Sequence, residues 1–336
     1  MSLPRVAAPS RPLVDPFSRT VRDLRISVTD RCNLRCTYCM PADGLTWVPR
    51  AEILTYEELE RVARVCVERF GFDGIRLTGG EPTMRADLPR LVERLATLGV
   101  DLSMTTNGLS LPLVAEDLRA AGLRRVNISL DSLRPERFAE ITRRDQLPAV
   151  LAGIDAALGA GFDPVKVNCV LVRGMNDDEI VDMARFGRER GVVMRFIEFM
   201  PLDADGGWTG QSVVAAEEVV AAIDAVYPLE PAAVRGAQPA ERYRYRDGGG
   251  EIGVIASVTR NFCSSCDRVR LTADGKFRNC LFAVRETDLR SVLRGGGSDG
   301  DVAAAIEADV GTKWSGHAIG QVNFVRPSRS MSQIGG

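Results

Sequence analysis

The sequence predicts an α/β fold: a partial (βα)6, TIM-like barrel followed by a smaller C-terminal α+β region. Three observations point there. Short apolar runs alternate with helical patterns from about residue 24 to residue 200. One face of nearly every candidate strand is polar. After Met200 the alternation gives way to a loop, isolated strands and a hairpin.

The candidate strands are residues 24–28, 74–78, 101–105, 125–130, 165–172 and 192–199. Between the first two, Leu59, Val62, Ala63, Cys66 and Phe70 recur at helical spacing. Thr55 with Glu58 forms a capping-box pattern at the start of that helix. Further helices are expected at residues 88–98, 113–121, 148–158 and 178–190. Successive βα units imply a parallel sheet, and right-handed crossovers curl it into a part-barrel.

Strand parity adds the content of the barrel. Arg25 and Ser27, with Thr29 beyond them, oppose Ile26 and Val28. Arg76 and Thr78 oppose Ile75 and Leu77; Ser103 and Thr105 oppose Leu102 and Met104. Asn127 and Ser129 oppose Val126, Ile128 and Leu130, and Lys166 shares a face with Asn168. Buried parallel strands are normally apolar on both faces. A consistently polar face therefore predicts a lumen that holds a polar ligand. The sixth strand breaks the rule, because Arg195 and Glu198 fall on opposite faces.

Beyond the barrel, residues 202–212 read as a loop and 215–226 as a helix. Residues 228–250 are rich in Pro, Gly and Arg, and 251–258 read as a strand. Residues 268–272 and 276–281 form a hairpin about Ala273-Asp274-Gly275. Short helices are expected near 286–293 and 302–310, with a flexible joint at 295–300. The division is residues 1–20 as a disordered lead, 21–200 as the barrel and 201–336 as the C-terminal region.

The 336 residues carry a net charge of −2, which gives no electrostatic case for nucleic acid or a membrane surface. No apolar run reaches the ~18–20 residues of a membrane span. Residues 1–16 lack the apolar stretch of a signal peptide, so a cytoplasmic location is expected.

Eight cysteines stand against a single histidine, His317. Cys32, Cys36 and Cys39 follow the first strand; Cys263, Cys266 and Cys280 lie in the C-terminal region. Cys66 and Cys169 fall among apolar residues and are expected in the core. Closely spaced thiolates suit iron–sulfur clusters or zinc. Three thiolates on a four-iron cube leave one iron open to a ligand. Spacing alone also leaves a zinc site with a distant fourth ligand.

The surrounding strings carry a resemblance. Cys32-Asn33-Leu34-Arg35-Cys36-Thr37-Tyr38-Cys39 and Gly79-Gly80-Glu81-Pro82 resemble the paired signatures of radical S-adenosylmethionine (SAM) enzymes. The segments Asn261 to Thr272 and Asp274 to Leu281 resemble the auxiliary-cluster motif of the GTP 3',8-cyclases of molybdenum-cofactor biosynthesis. Thr105-Thr106-Asn107-Gly108 and the terminal Gly335-Gly336 agree, and the match runs from about Asp23 to Gly336. The resemblance implies two [4Fe-4S] clusters, one on each cysteine trio, with SAM on the first. It implies cofactor contacts at Tyr38, Gly80, Glu81, Ser129 and Met200. Arg25, Arg76, Thr105, Lys166, Arg268 and Arg270 match GTP-contacting positions, and Arg195 is a further phosphate contact. Gly335 and Gly336 are implied to enter the site and assist catalysis. The implied reaction takes hydrogen from C3' of GTP and joins C3' to C8 of guanine. Implied partners are an electron donor, a downstream cyclic pyranopterin monophosphate synthase and a second copy of the chain in a homodimer. The competing readings are a peptide-modifying radical SAM enzyme and a zinc-bearing structural module.

Overall fold

The computed structural model describes residues 11–203, 205–232, 235–322 and 324–335. Its frame is six βα units. The strands are β1 (Asp23–Ser27), β2 (Gly74–Thr78), β3 (Asp101–Thr106), β4 (Arg125–Ser129), β5 (Val165–Leu171) and β6 (Val193–Glu198). The helices are α1 (Tyr56–Phe70), α2 (Leu88–Ala96), α3 (Leu111–Ala120), α4 (Pro135–Thr142), α5 (Leu147–Gly159) and α6 (Ile180–Arg190). The Thr55/Glu58 capping box forms as the sequence predicts. Helix α4 was not expected. It is short, and only Phe138 and Ile141 carry its apolar face among Glu136, Arg137 and Glu140, so its periodicity is faint.

The C-terminal region adds α7 (Ala216–Asp224), β7 (Leu229–Pro231), β8 (Glu241–Tyr245), β9 (Glu251–Ile255), β10 (Arg268–Leu271), β11 (Lys276–Arg278) and β12 (Thr287–Asp288). Helices α8 (Leu289–Arg294), α9 (Asp299–Val310) and α10 (Met331–Ile334) follow. Strands β7 and β8 lie inside the stretch noted only as rich in Pro, Gly and Arg. Charge hides β8, since Glu241, Arg242 and Arg244 surround its tyrosines and only Tyr245 of that strand is buried, and β7 is three residues long with only Leu229 buried. The expected joint at 295–300 is partly helix, because Ser298 and Asp301 cap α9.

All strands join one sheet in the order β12-β11-β10-β1-β2-β3-β4-β5-β6-β9-β8-β7. Strand β10 runs parallel to β1, and β9 runs parallel to β6. The six expected strands therefore become eight parallel ones, with the C-terminal region extending the part-barrel at both edges. The outer faces pack on the helices as one core that includes Leu24, Ile26, Ile75, Leu77, Met104, Ile128, Val167 and Phe196. Cys66 and Cys169 belong to it, as expected.

Of the lead expected at residues 1–20, residues 1–10 lie outside the described residues, and residues 11–20 are held against the fold. Leu13 is buried, Val21 donates to its carbonyl at 2.8 Å, and Val14 bridges Thr20. No helix among the described residues is long and apolar enough to cross a membrane.

Candidate functional site: a chamber between two cysteine trios

Register sets the inner face of the part-barrel. Arg25 pairs with Arg270 on one side and with Arg76 on the other. Arg76 pairs with Ser103, Thr105 with Asn127, and Asn168 with Arg195. Like charges on adjacent strands repel, so this row concentrates positive potential on the inner face. Burial, then Arg76, brings Arg25 down to about 9. Burial lowers Arg76 and Arg195 to about 10 each and Arg270 well below its ordinary value. Lys166 falls to about 8 through burial and then through Arg195, Arg125 and Arg76. Among the described residues, Arg25 Nε, Arg268 Nη2 and Asn168 Oδ1 are buried without a hydrogen-bond partner.

One cavity of about 300 Å³ receives this face. It is lined by both trios, Cys32, Cys36, Cys39 and Cys263, Cys266, Cys280, and by Arg25, Arg76, Thr105, Arg195, Arg268 and Arg270. Tyr38, Gly80, Glu81, Ser129 and Met200 line it too. Lys166 stands outside that lining but on the same face as Asn168, which lines it. Gly335 is held beside the cavity by Arg270, which donates to its carbonyl and to that of Ile334 at 3.4 Å. Gly336 lies outside the described residues. Cys280 sits two residues past the end of β11, not on the strand as expected.

The conflict at β6 resolves by division of labour. Arg195 faces the lumen and reaches Asn127 Oδ1 at 3.4 Å. Glu198 faces outward and accepts from the amides of Ala216 (3.0 Å), Val258 (2.7 Å) and Thr259 (2.8 Å). It ties the start of α7 to the segment leaving β9 and takes no part in the lumen.

At the first trio, the loops after β1 and β2 lie backbone to backbone. Gly80 donates to Thr29 O at 2.8 Å, and Glu81 donates to Arg31 O at 2.7 Å. A Cβ on Gly80 would stand 2.3 Å from Arg31 O, so the glycine is required by the cysteine loop itself. Glu81 accepts from Thr83 N (3.0 Å), Thr83 Oγ1 (2.6 Å), Thr106 Oγ1 (2.7 Å) and Asn107 N (2.7 Å). Its carboxylate therefore ties the loop after β2 to the end of β3, and residual acceptor capacity is left on Oε2. The Tyr38 hydroxyl donates to Asp131 Oδ2 at 2.6 Å, and burial lifts the Asp131 carboxyl to about 6.

The trios fit clusters. Burial raises the Cys32 thiol to about 11, Cys36 well above its usual value and Cys39 to about 12. Such thiols ionise readily only against a metal's charge. At the second trio, burial works to raise Cys266, but Arg268 and Lys313 outweigh it and hold the thiol below its usual value. Among the described residues no three His, Cys, Asp or Glu side chains gather as a single metal ion requires. His317 lines the chamber, but its Nε2 lies 2.9 Å from Ser257 O and its Nδ1 accepts from Ile319 N at 3.4 Å. With both nitrogens engaged, the only histidine is not free as a zinc ligand.

The site list drawn from the sequence lacked Asp131, Asn107, Asn168 and Ser332. Asn107 lies within the Thr105–Gly108 string and Asp131 directly follows Leu130, so both stood next to residues already singled out. Ser332 gave no signal: its amide and hydroxyl reach the Cys39 sulfur only because α10 folds back into the chamber.

The chain matches the Radical SAM superfamily over residues 26–187 and the family described as Molybdenum Cofactor Synthesis C over residues 192–319. It is 48% identical to the GTP 3',8-cyclase of Mycolicibacterium smegmatis, covering 97% of this chain and 92% of that one. It is also 48% identical to the GTP 3',8-cyclase of Streptomyces coelicolor, covering 96% of each. Among solved structures, Streptococcus suis SuiB bound to S-adenosylmethionine aligns at TM-score 0.56 and 13% identity, over 88% of this chain and 68% of that one. Methylornithine synthase (PylB) aligns at TM-score 0.53 and 18% identity, over 85% and 86%. These two share the fold.

Proposed function

The chain belongs to the GTP 3',8-cyclase family of radical SAM enzymes, and from that premise we propose how its residues carry the reaction. The protein converts GTP to 3',8-cyclo-7,8-dihydro-GTP, the first step of molybdenum-cofactor biosynthesis. A [4Fe-4S] cluster with SAM supplies one-electron chemistry that ends in hydrogen abstraction. Cys32, Cys36 and Cys39 would hold that cluster. Cys263, Cys266 and Cys280 would hold a second, offering the purine base a soft anchoring point.

The other residues position and shield. GTP brings about four negative charges, which Arg25, Arg76, Arg195, Arg268 and Arg270 meet where little water competes. Arg25 Nε, which faces Asp23 Oδ1 at 3.8 Å without a hydrogen bond, and Arg268 Nη2 are donors available to phosphate oxygens. Thr105 and Lys166 extend the row toward β5. Tyr38, fixed by Asp131, presents its ring to adenine, while Gly80, Glu81, Ser129 and Met200 shape the rest of the SAM pocket. Ser332 against Cys39 and Gly335 against Arg270 place the tail across the chamber, where it excludes water and orders the triphosphate end.

The observation that carries this reading is that both trios face one chamber whose wall is a row of buried cations. The test is an anaerobic assay of reconstituted protein with SAM, GTP and a reductant, followed by mass analysis of the nucleotide. GTP-dependent SAM consumption with a cyclised nucleotide is expected; SAM consumption indifferent to GTP would overturn it. We further propose an external one-electron donor, delivery of product to a cyclic pyranopterin monophosphate synthase, a homodimer, and residence in the cytoplasm, where thiols stay reduced.

A further inference from the structure

The segment before β1 reaches the second cysteine trio through one buried guanidinium. The chain turns between Val14 and Thr20, with Ser18 at φ 63°. The Asp15 carboxylate caps that turn, accepting from Phe17 N at 2.9 Å and Arg19 N at 3.0 Å. It also receives Arg19 Nε at 2.5 Å, which fixes the guanidinium plane. The remaining nitrogens of Arg19 donate to Cys263 O (2.6 Å), Ser315 O (2.8 Å) and Trp314 O (2.5 Å). Both Asp15 and Arg19 are buried. One side chain thus ties together three segments remote in sequence, one of them a cysteine of the trio.

A second buried cation completes the arrangement. Lys313 Nζ donates to Arg268 O at 2.6 Å and to Asn279 O at 2.8 Å. Those carbonyls lie two residues after Cys266 and one before Cys280. The strand of chain carrying Lys313 presses on Cys263 as well, since a Cβ on Gly316 would stand 3.1 Å from Cys263 Cβ. Every cysteine of the trio therefore has a backbone carbonyl, its own or a close neighbour's, pinned by Arg19 or Lys313. Lys313 donates to these two carbonyls, which neutralise none of its charge, so that charge is left facing the side of the trio. Burying such a charge is costly without a compensating anion, and three metal-bound thiolates supply one.

We propose that Asp15, Arg19 and Lys313 are positioning residues that preorganise the second cysteine trio for its cluster. This rests on the reading that the trio holds a [4Fe-4S] cluster. It gives the segment before β1 a task in metal-site assembly. A guanidinium fork suits that task because it reaches three carbonyls in fixed directions, which an ammonium cannot do from the same place.

The test uses the full chain, reconstituted anaerobically, as wild type and as Arg19→Ala, Arg19→Lys and Lys313→Met. Iron and sulfide per chain are measured, with electron paramagnetic resonance of the reduced protein before and after adding SAM. Wild type should hold about eight irons, as two four-iron clusters require. Arg19→Ala and Lys313→Met should hold about four, with the first cluster's spectrum still responding to SAM, which also certifies the fold. Arg19→Lys should fall between. In the metal-free protein, alkylation of Cys263 should quicken about tenfold in Arg19→Ala, while Cys32 reacts at the wild-type rate. Arg19→Ala with full iron, an unaltered second-cluster spectrum and unchanged Cys263 alkylation overturns the proposal. A wild type that binds only about four irons instead removes the two-cluster reading, and the proposal with it. Should Arg19→Ala not fold, Arg19→Lys and Lys313→Met decide by the same measurements.

Discussion

Replacing Gly335 with Ala tests whether the tail is part of the active site. Gly335 has φ 76° and ψ 89°, a conformation in which a side chain is strained. Holding Ala there costs roughly 1–2 kcal/mol. The added Cβ would also stand 2.3 Å from Thr78 Oγ1 and 3.4 Å from Ser27 Oγ. Thr78 cannot simply turn away, because its hydroxyl donates to Ile26 O at 3.3 Å within the sheet. Overpacking of this kind adds about 1–3 kcal/mol. The sum, roughly 2–5 kcal/mol, lowers the docked population of the tail by about 30-fold to several thousand-fold. Ile334 and Ser332 would leave their buried positions, and Arg270 would lose its carbonyl partners. Hydrogen exchange of residues 331–335 reads the docking directly. GTP cyclisation reads its consequence, with iron content and SAM binding as controls. Wild-type protection of the tail together with wild-type cyclisation would refute the assignment.

Other predictions concern the two trios and the cation row. Gly80→Ala drives a Cβ into Arg31 O and should strip iron from the first site alone, which iron analysis and electron paramagnetic resonance check. Glu81→Ala orphans donors from Thr83, Thr106 and Asn107 at about 1–3 kcal/mol per unsatisfied group, so the Tm should fall steeply even without metal. Arg270→Ala removes charge-assisted bonds of about 1.5–3 kcal/mol and should weaken GTP binding by roughly 10- to 150-fold, measured as KM. Burial lowers Lys166 to about 8, and on the proposed reading its charged form attracts the triphosphate. Binding raises that value and takes up a proton, so GTP affinity should fall as pH rises through about 8, by at most about tenfold per pH unit. Calorimetry in two buffers of different ionisation heat measures the uptake, and Lys166→Met should abolish it.

Local chemistry made much of this protein legible from its sequence. The capping box, the six alternating runs and the polar strand faces follow from short-range periodicity, and β1 to β6 formed within one residue of their expected bounds, whereas β9 and β11 end three residues short of theirs. The constellation of cysteines and cations was legible in part for the same reason: side chains on one strand face must point together, so Arg25, Arg76 and Thr105 mark a lumen in the sequence itself. Helix α4 and strands β7 and β8 were hidden because their burial comes from neighbours and leaves little pattern of its own.

Tertiary structure decided what distance along the chain conceals. Parallel pairing of β9 with β6 and of β10 with β1 carries the second trio to the rim of the first, and no periodicity encodes which strand an edge will accept. Parity left Arg195 and Glu198 in conflict; packing settled it, since Glu198 is needed outside to satisfy three amides. The residues flanking the trios show the same division. A thiol announces itself by spacing, whereas Arg19, 244 positions before the Cys263 carbonyl it holds, comes to the second trio only when folding leaves that carbonyl no water to bond.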